Sequence, residues 1–126
     1  MRLAFALAVV FPCAAPALAN DARIERVLRQ LDPDARFEQV CDLEAMKRIG
    51  KDKTYRPERS MVAALEPPKV VNSTMRGSGG AFKSKGQWIQ FSFTCETTPD
   101  HMKVQAFSFQ VGEPIPQDKW EPNGLW

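Results

Sequence analysis

Cys41 and Cys95 constrain what these 126 residues can fold into more tightly than any other pair. Cys41 sits in the stretch EQVCDLEAM, within a segment where Phe37, Val40, Cys41 and, less centrally, Leu43 and Ile49 mark the apolar side of a helix. Cys95 lies near the end of QWIQFSFTCE, where Ile89, Phe91, Phe93 and Cys95 alternate with Trp88, Gln90, Ser92 and Thr94, the period of a half-buried strand. A bond between the two sulfurs requires that helix to pack on that sheet. Closing a loop of roughly 55 residues contributes about 4 kcal/mol in the chain-entropy picture.

The pairing is unique only if Cys13 is removed, and the N-terminus leads to that expectation, with a retained interfacial anchor as the alternative. MRLAFALAVVFPCAAPALAND carries one basic residue, an apolar run from Leu3 to Phe11 and small residues ending Ala17-Leu18-Ala19. That order is a secretory leader, residues 1–19, with cleavage expected after Ala19. The run is shorter than the ~20 residues a membrane crossing needs and is followed by Pro12 and Pro16, so no transmembrane segment is expected in the mature chain. An exported domain with two cysteines is expected to join them, because oxidising compartments form and keep disulfides. Residues 20–126 are enough for one domain.

Seventeen Lys and Arg stand against fifteen Asp and Glu, and one of the former, Arg2, lies in the leader, so the exported part is close to neutral. Two local runs are basic: one holds Lys47, Arg48, Lys51, Lys53, Arg56 and Arg59, and the stretch from Lys69 to Lys85 has no acid at all. Such runs are ordinarily solvated surface, and the alternative is contact with an anionic partner.

Ile24, Val27, Leu28 and Leu31 fall at helical spacing behind Asn20 or Asp21, which can cap a first helix. Asp32-Pro33 ends it and starts a second, with Gly50 as the natural stop. KDKTYRPERS reads as a polar loop, and MVAAL and KVVNSTM as strand candidates. The glycines of RGSGG read as a connection. KVQAFSFQVG, with Phe107, Phe109 and Val111 on one side, is the expected antiparallel partner of the Cys95 strand, joined to it by a turn at Pro99-Asp100. The proline-rich tail should form an irregular strap held by Trp120 and Trp126. Helices first and strands afterwards indicate an α+β domain: two N-terminal helices on a small antiparallel β-sheet with one helix-to-strand disulfide.

No chemistry-bearing motif is complete. GSGGAFKS approaches a phosphate loop, but Phe82 stands where the second glycine belongs and a strand follows where a helix should open. His101 is the sole histidine, and its neighbour Asp100 is badly placed to orient it as a triad requires. Once Cys41 and Cys95 are joined, neither is a nucleophile or a metal ligand, so no metal and no cofactor is expected. Glu38, Asp42 and Glu44 share a helix, and Glu96 and Asp100 flank a hairpin tip, which keeps a two-carboxylate hydrolase in view. Arg76, Lys83 and Lys85 with Phe82 and Trp88 form a basic, aromatic segment around the glycines, a candidate contact for an anionic glycan, lipid head group or peptide. Nucleic acid is not expected as a partner of an exported chain. The strand edges beside that segment offer a partner protein a place to pair.

In LDPDARFEQVCDLEAM and FKSKGQWIQFSFTCETTPDHMKVQAFSFQVGEPIP the chain resembles a bacterial family catalogued as domain of unknown function 930, from about Leu31 to the C-terminus with both cysteines included. The resemblance implies an exported or membrane-tethered envelope protein of bacteria with two membranes, and hence a periplasmic location. It carries no activity, cofactor or catalytic residues. The expectation is a non-enzymatic periplasmic binding or assembly module of the cell envelope, with the small hydrolase of an envelope polymer as its rival.

Overall fold

Asp32 and Pro33 set the helical half of the molecule. In a computed structural model, which describes residues 16–126, the Asp32 carboxylate accepts the Ala35 amide at 3.0 Å and Pro33 opens α2, Pro33–Lys51. A proline loses no hydrogen bond at the first helical position, and the aspartate satisfies one of the free amides behind it. Gly50 does not stop the helix; it runs one residue further, and Asp52, in extended conformation, ends it. The helix before it, α1, covers Pro16–Gln30 and so begins earlier than Asn20 or Asp21. The expected leader lies outside the described residues except for 16–19, which belong to this helix.

Only the C-terminal end of α1 reaches the body of the protein. Leu28 is buried and Leu31 packs beside the core, whereas Ile24 and Val27, part of the same apolar stripe, are 40% and 53% exposed. Arg36 of α2 fixes the junction. Its Nε donates to the Leu28 carbonyl at 2.9 Å, Nη2 to those of Leu31 and Arg29, and Nη1 to the Asp100 carbonyl at 3.0 Å. One planar fork thereby satisfies carbonyls at the end of α1 and ties them to a distant turn.

Five antiparallel strands make the sheet: β1 Pro57–Met61, β2 Lys69–Val71, β3 Thr74–Ser84, β4 Gln87–Thr97 and β5 Val104–Pro114, in the order β1-β3-β4-β5, with β2 also on β3. β1 and β2 share the outer side of β3 at its two ends, since Pro57 pairs with Ser84 and Lys69 with Arg76. Three expectations are corrected. MVAAL is a strand only at Met61; the strand lies in the segment read as a loop, and residues 62–66 turn. KVVNSTM is a hairpin in which Asn72, at φ 54, makes the bend between β2 and β3. The RGSGG glycines do not connect strands but lie inside β3, where the register shifts between Gly77 and Gly80.

Steric need explains those glycines. A Cβ on Gly80 would stand 2.7 Å from the ring of its cross-strand neighbour Phe91, and one on Gly79 would stand 2.6 Å from the backbone nitrogen of Glu66. Residues 62–68 cross the gap between β1 and β2 there, and the Leu65 amide donates to the Gly79 carbonyl at 2.8 Å.

The two faces of the sheet carry two cores. On one, Phe37, Val40, Cys41, Ala45 and Ile49 of α2 meet Met75, Phe82, Phe91, Phe93, Cys95 and Phe107. Cys41 and Cys95 are bonded there with their Cα atoms 6.2 Å apart, which joins helix to strand as expected. On the other face a smaller cluster of Ala81, Trp88, Ile115 and Leu125 is flanked by Met61, Leu65 and Trp120. The tail is a strap of two 3-10 turns, and Trp120 holds it by donating to the Ile115 carbonyl at 2.9 Å. Trp126 holds the end of the strap from the surface: its ring is 64% exposed with the Arg59 guanidinium 3.7 Å away and its carbonyl accepts from Lys83, while Leu125 is the residue buried beneath.

Candidate functional site

The strap covers only part of the sheet face opposite α2. Towards the β2 end the same face lies open as a groove of about 640 Å³. Its floor is made by residues 76–78 of β3, 92–94 of β4 and 108–110 of β5. Strand alternation turns the buried Phe93 towards α2, so the side chains presented to the groove are Ser92 and Thr94, with Ser108 and Gln110 opposite them in register. Arg76 lies across from Thr94 and donates to its hydroxyl at 3.3 Å; Lys69 lies across from Arg76. Glu66 and Pro67 form the wall above β3. The Glu66 carboxylate accepts the Ser78 hydroxyl, which fastens this wall to β3, and Gln90 of β4 donates to the Ser78 carbonyl within the sheet.

Two cations, one carboxylate and a row of hydroxyls make a polar trough. Neither Lys69 nor Arg76 is ion-paired among the described residues, whose one salt bridge is Arg48 with Glu44. Such a surface can hold an extended anionic ligand by charge at one end and by hydroxyl and amide hydrogen bonds along its length.

The five residues singled out in the sequence are not brought together. Arg76 is in the groove, but Lys83 lies about 20 Å further along β3 at ~3.3 Å per residue and donates to the Trp126 carbonyl at 2.9 Å. Lys85, at φ 51, forms the β3–β4 turn with Gly86. Phe82 and Trp88 are fully buried, on opposite faces, one in each core. Alternation along β3 and β4 separates them, so neither ring can meet a ligand. Lys69 was visible in sequence only as the start of a basic stretch, and Ser92, Thr94, Ser108 and Gln110 are the polar partners of an alternation already visible there; what was missing was the register that aligns them.

The candidate carboxylates are dispersed. Glu44 pairs with Arg48 at 2.8 Å, while Glu38 and Glu96 are exposed. Asp100 closes its own turn, accepting from the Thr98 hydroxyl at 2.6 Å and the Met102 amide at 3.1 Å, and the Thr98 bond first and the Met102 bond second hold its pKa below the usual carboxylate value. Asp42 accepts the Val62 amide at 2.7 Å. Burial pushes its pKa up to about 7 against the lowering effect of that amide, and the Glu38 charge adds to the rise. It does not line the groove, nor a second cavity of about 300 Å³ beside the strap. His101, at φ 58, stacks on Phe37 with ring centroids 4.1 Å apart and its Nδ1 is 2.9 Å from the Thr97 hydroxyl, which makes it a clasp between hairpin and helix. Among the described residues no group of three or more acids, histidines or cysteines is arranged to hold a metal, and no helix is long and apolar enough to cross a membrane.

No curated protein and no solved structure gives a significant match to the chain. The family described as Domain of Unknown Function (DUF930) matches residues 28–125, which takes in both cysteines, all five strands and every residue of the groove. The chain belongs to the DUF930 family.

Proposed function

We propose that this protein is an exported, non-enzymatic binding module of the bacterial envelope, and that the groove between β2 and β5 receives an anionic glycan of that envelope. The observation that carries the reading is the cross-strand pair Lys69 and Arg76 at the head of the hydroxyl row of Ser92, Thr94 and Ser108. A polymer bearing carboxylate or phosphate groups matches both features: the cations supply attraction and the hydroxyls supply hydrogen bonds for its sugar oxygens. Support for export comes from the leader-like N-terminus and from the disulfide, which persists in oxidising compartments. A hydrolase acting through two carboxylates has no such support in the groove, where Glu66 is the only acid and is bonded to Ser78.

The test is retention of purified, isotopically labelled envelope polysaccharide on the immobilised protein. Lys69→Gln with Arg76→Gln is expected to lower retention about tenfold, since each exposed contact to an anion contributes on the order of 0.5–1 kcal/mol. Lys83→Gln with Lys85→Gln, remote from the groove, is expected to leave it unchanged. Equal retention by the parent and the groove variant overturns the reading.

A further inference from the structure

The outer side of β5 pairs with no strand among the described residues. Native β-sheet proteins ordinarily protect such an edge with a charged side chain, above all lysine, a proline or a bulge. Here no charged residue and no proline occurs from Val104 to Gly112, and the irregular pairings with β4 fall only at the two ends, leaving residues 106–111 in unbroken register. Phe109, in the middle of that stretch, is 37% exposed although its neighbour on the same face, Phe107, is buried. An uncharged, regular edge with a half-covered aromatic ring is built to be paired.

The sequence of the edge indicates with what. Ala106-Phe107-Ser108-Phe109-Gln110 has a phenylalanine on either side of Ser108, so a second copy laid antiparallel about a two-fold axis at Ser108 meets itself in kind. Phe107 then opposes the partner's Phe109, both on the side that α2 covers, and Ser108 opposes the partner's Ser108 on the groove side. No like charges are brought together. We propose that the protein forms a two-fold dimer through β5–β5 pairing about Ser108, which joins the two grooves, each floored at this edge by Ser108 and Gln110, into one continuous trough. The dimer requires no ligand, so it stands or falls separately from the glycan reading.

A Ser108→Cys variant of the full chain that also carries Cys13→Ser provides the test, because the other two native cysteines, Cys41 and Cys95, are buried in their disulfide. Directly opposed residues have Cβ atoms roughly 5 Å apart, within reach of a disulfide after modest adjustment. Mild oxidation is expected to give a covalent dimer with Ser108→Cys and not with Gln110→Cys, whose copies are offset by about 13 Å along the strands. In parallel, sedimentation of the unmodified protein at concentrations on the order of 100 μM, where a small interface is populated, is expected to give a dimer's mass. Ser108→Lys, which sets two ammonium groups on the axis, is expected to give a monomer's mass with an unchanged circular dichroism spectrum. A monomer's mass for the unmodified protein, or cross-linking of Gln110→Cys as readily as of Ser108→Cys, overturns the proposal.

Discussion

Arg36 shows how much a single side chain on this surface holds. Its guanidinium serves three carbonyls at the end of α1 and one in the β4–β5 turn, contacts between segments far apart in sequence. Replacing it with methionine keeps the apolar stem and strands those carbonyls. Each lost hydrogen bond to a charged group contributes roughly 1.5–3 kcal/mol at most, and water recovers part of that at the exposed carbonyls, so Arg36→Met is expected to cost about 2 kcal/mol in urea denaturation. Asp42 answers to pH. Below 3.8 its carboxyl is protonated folded or unfolded, and above about 7 it is ionised in both; between these values the folded protein holds the proton more firmly. Its contribution to stability therefore falls as pH rises through that window. Asp42→Asn keeps an acceptor for the Val62 amide and is expected to flatten the slope. The variant should gain on the order of 1–3 kcal/mol over the parent at pH 8, read as a shift of the denaturation midpoint.

At the scale of elements, β4 and β5 were legible and β3 was not, and the reason is packing. Phe91, Phe93 and Cys95 alternate with polar residues because one face of β4 meets α2 and the other meets solvent or the strap. β3 is central too, but it carries glycines wherever the Phe91 ring or the backbone of residue 66 comes close, so its composition is that of a turn while its conformation is extended. Local sequence cannot display the bulky neighbour that makes a small residue necessary. Gly79→Ala is expected to lose about 2–3 kcal/mol, because the contact is with backbone that cannot swing aside, whereas Gly86→Ala meets no atom and is opposed only by its φ of 77. Thermal melts of the two variants separate crowding from backbone strain. The groove was half legible for a related reason: alternation placed Ser92 and Thr94 away from the phenylalanines, but only the pairing of Lys69 with Arg76 and of Thr94 with Ser108 turns scattered polar residues into one surface.

For the molecule as a whole, helix and sheet are joined covalently at the centre of the larger core. Cys41 and Cys95 are fully buried beside Phe91 and Phe93, so the bridge is protected by the packing it reinforces. Unfolding in urea with a reductant is expected to lower stability by about 4 kcal/mol relative to the oxidised protein, and Cys41→Ala with Cys95→Ala should reproduce most of that loss. The architecture itself, two helices leading into an antiparallel sheet, was readable from the order of periodicities and from the cysteine count. The exposure of Ile24 and Val27 was not, because they look like core in sequence and only the packing of α1, which meets the core at Leu28 and Leu31, shows that the stripe continues past it.

The bridge also divides the polypeptide into a closed ring and two open arms. The hairpin bends at Asn72 and Lys85 lie within the ring, whereas Lys103 and the strap lie on an arm. A protease that cuts once after Lys85 leaves the protein a single covalent particle, which runs as one band until thiol is added and then as two. A cut after Lys103 leaves β5 and the strap with no covalent link, so they separate on a denaturing gel without thiol, and the same enzyme has opposite consequences on the two sides of Cys95.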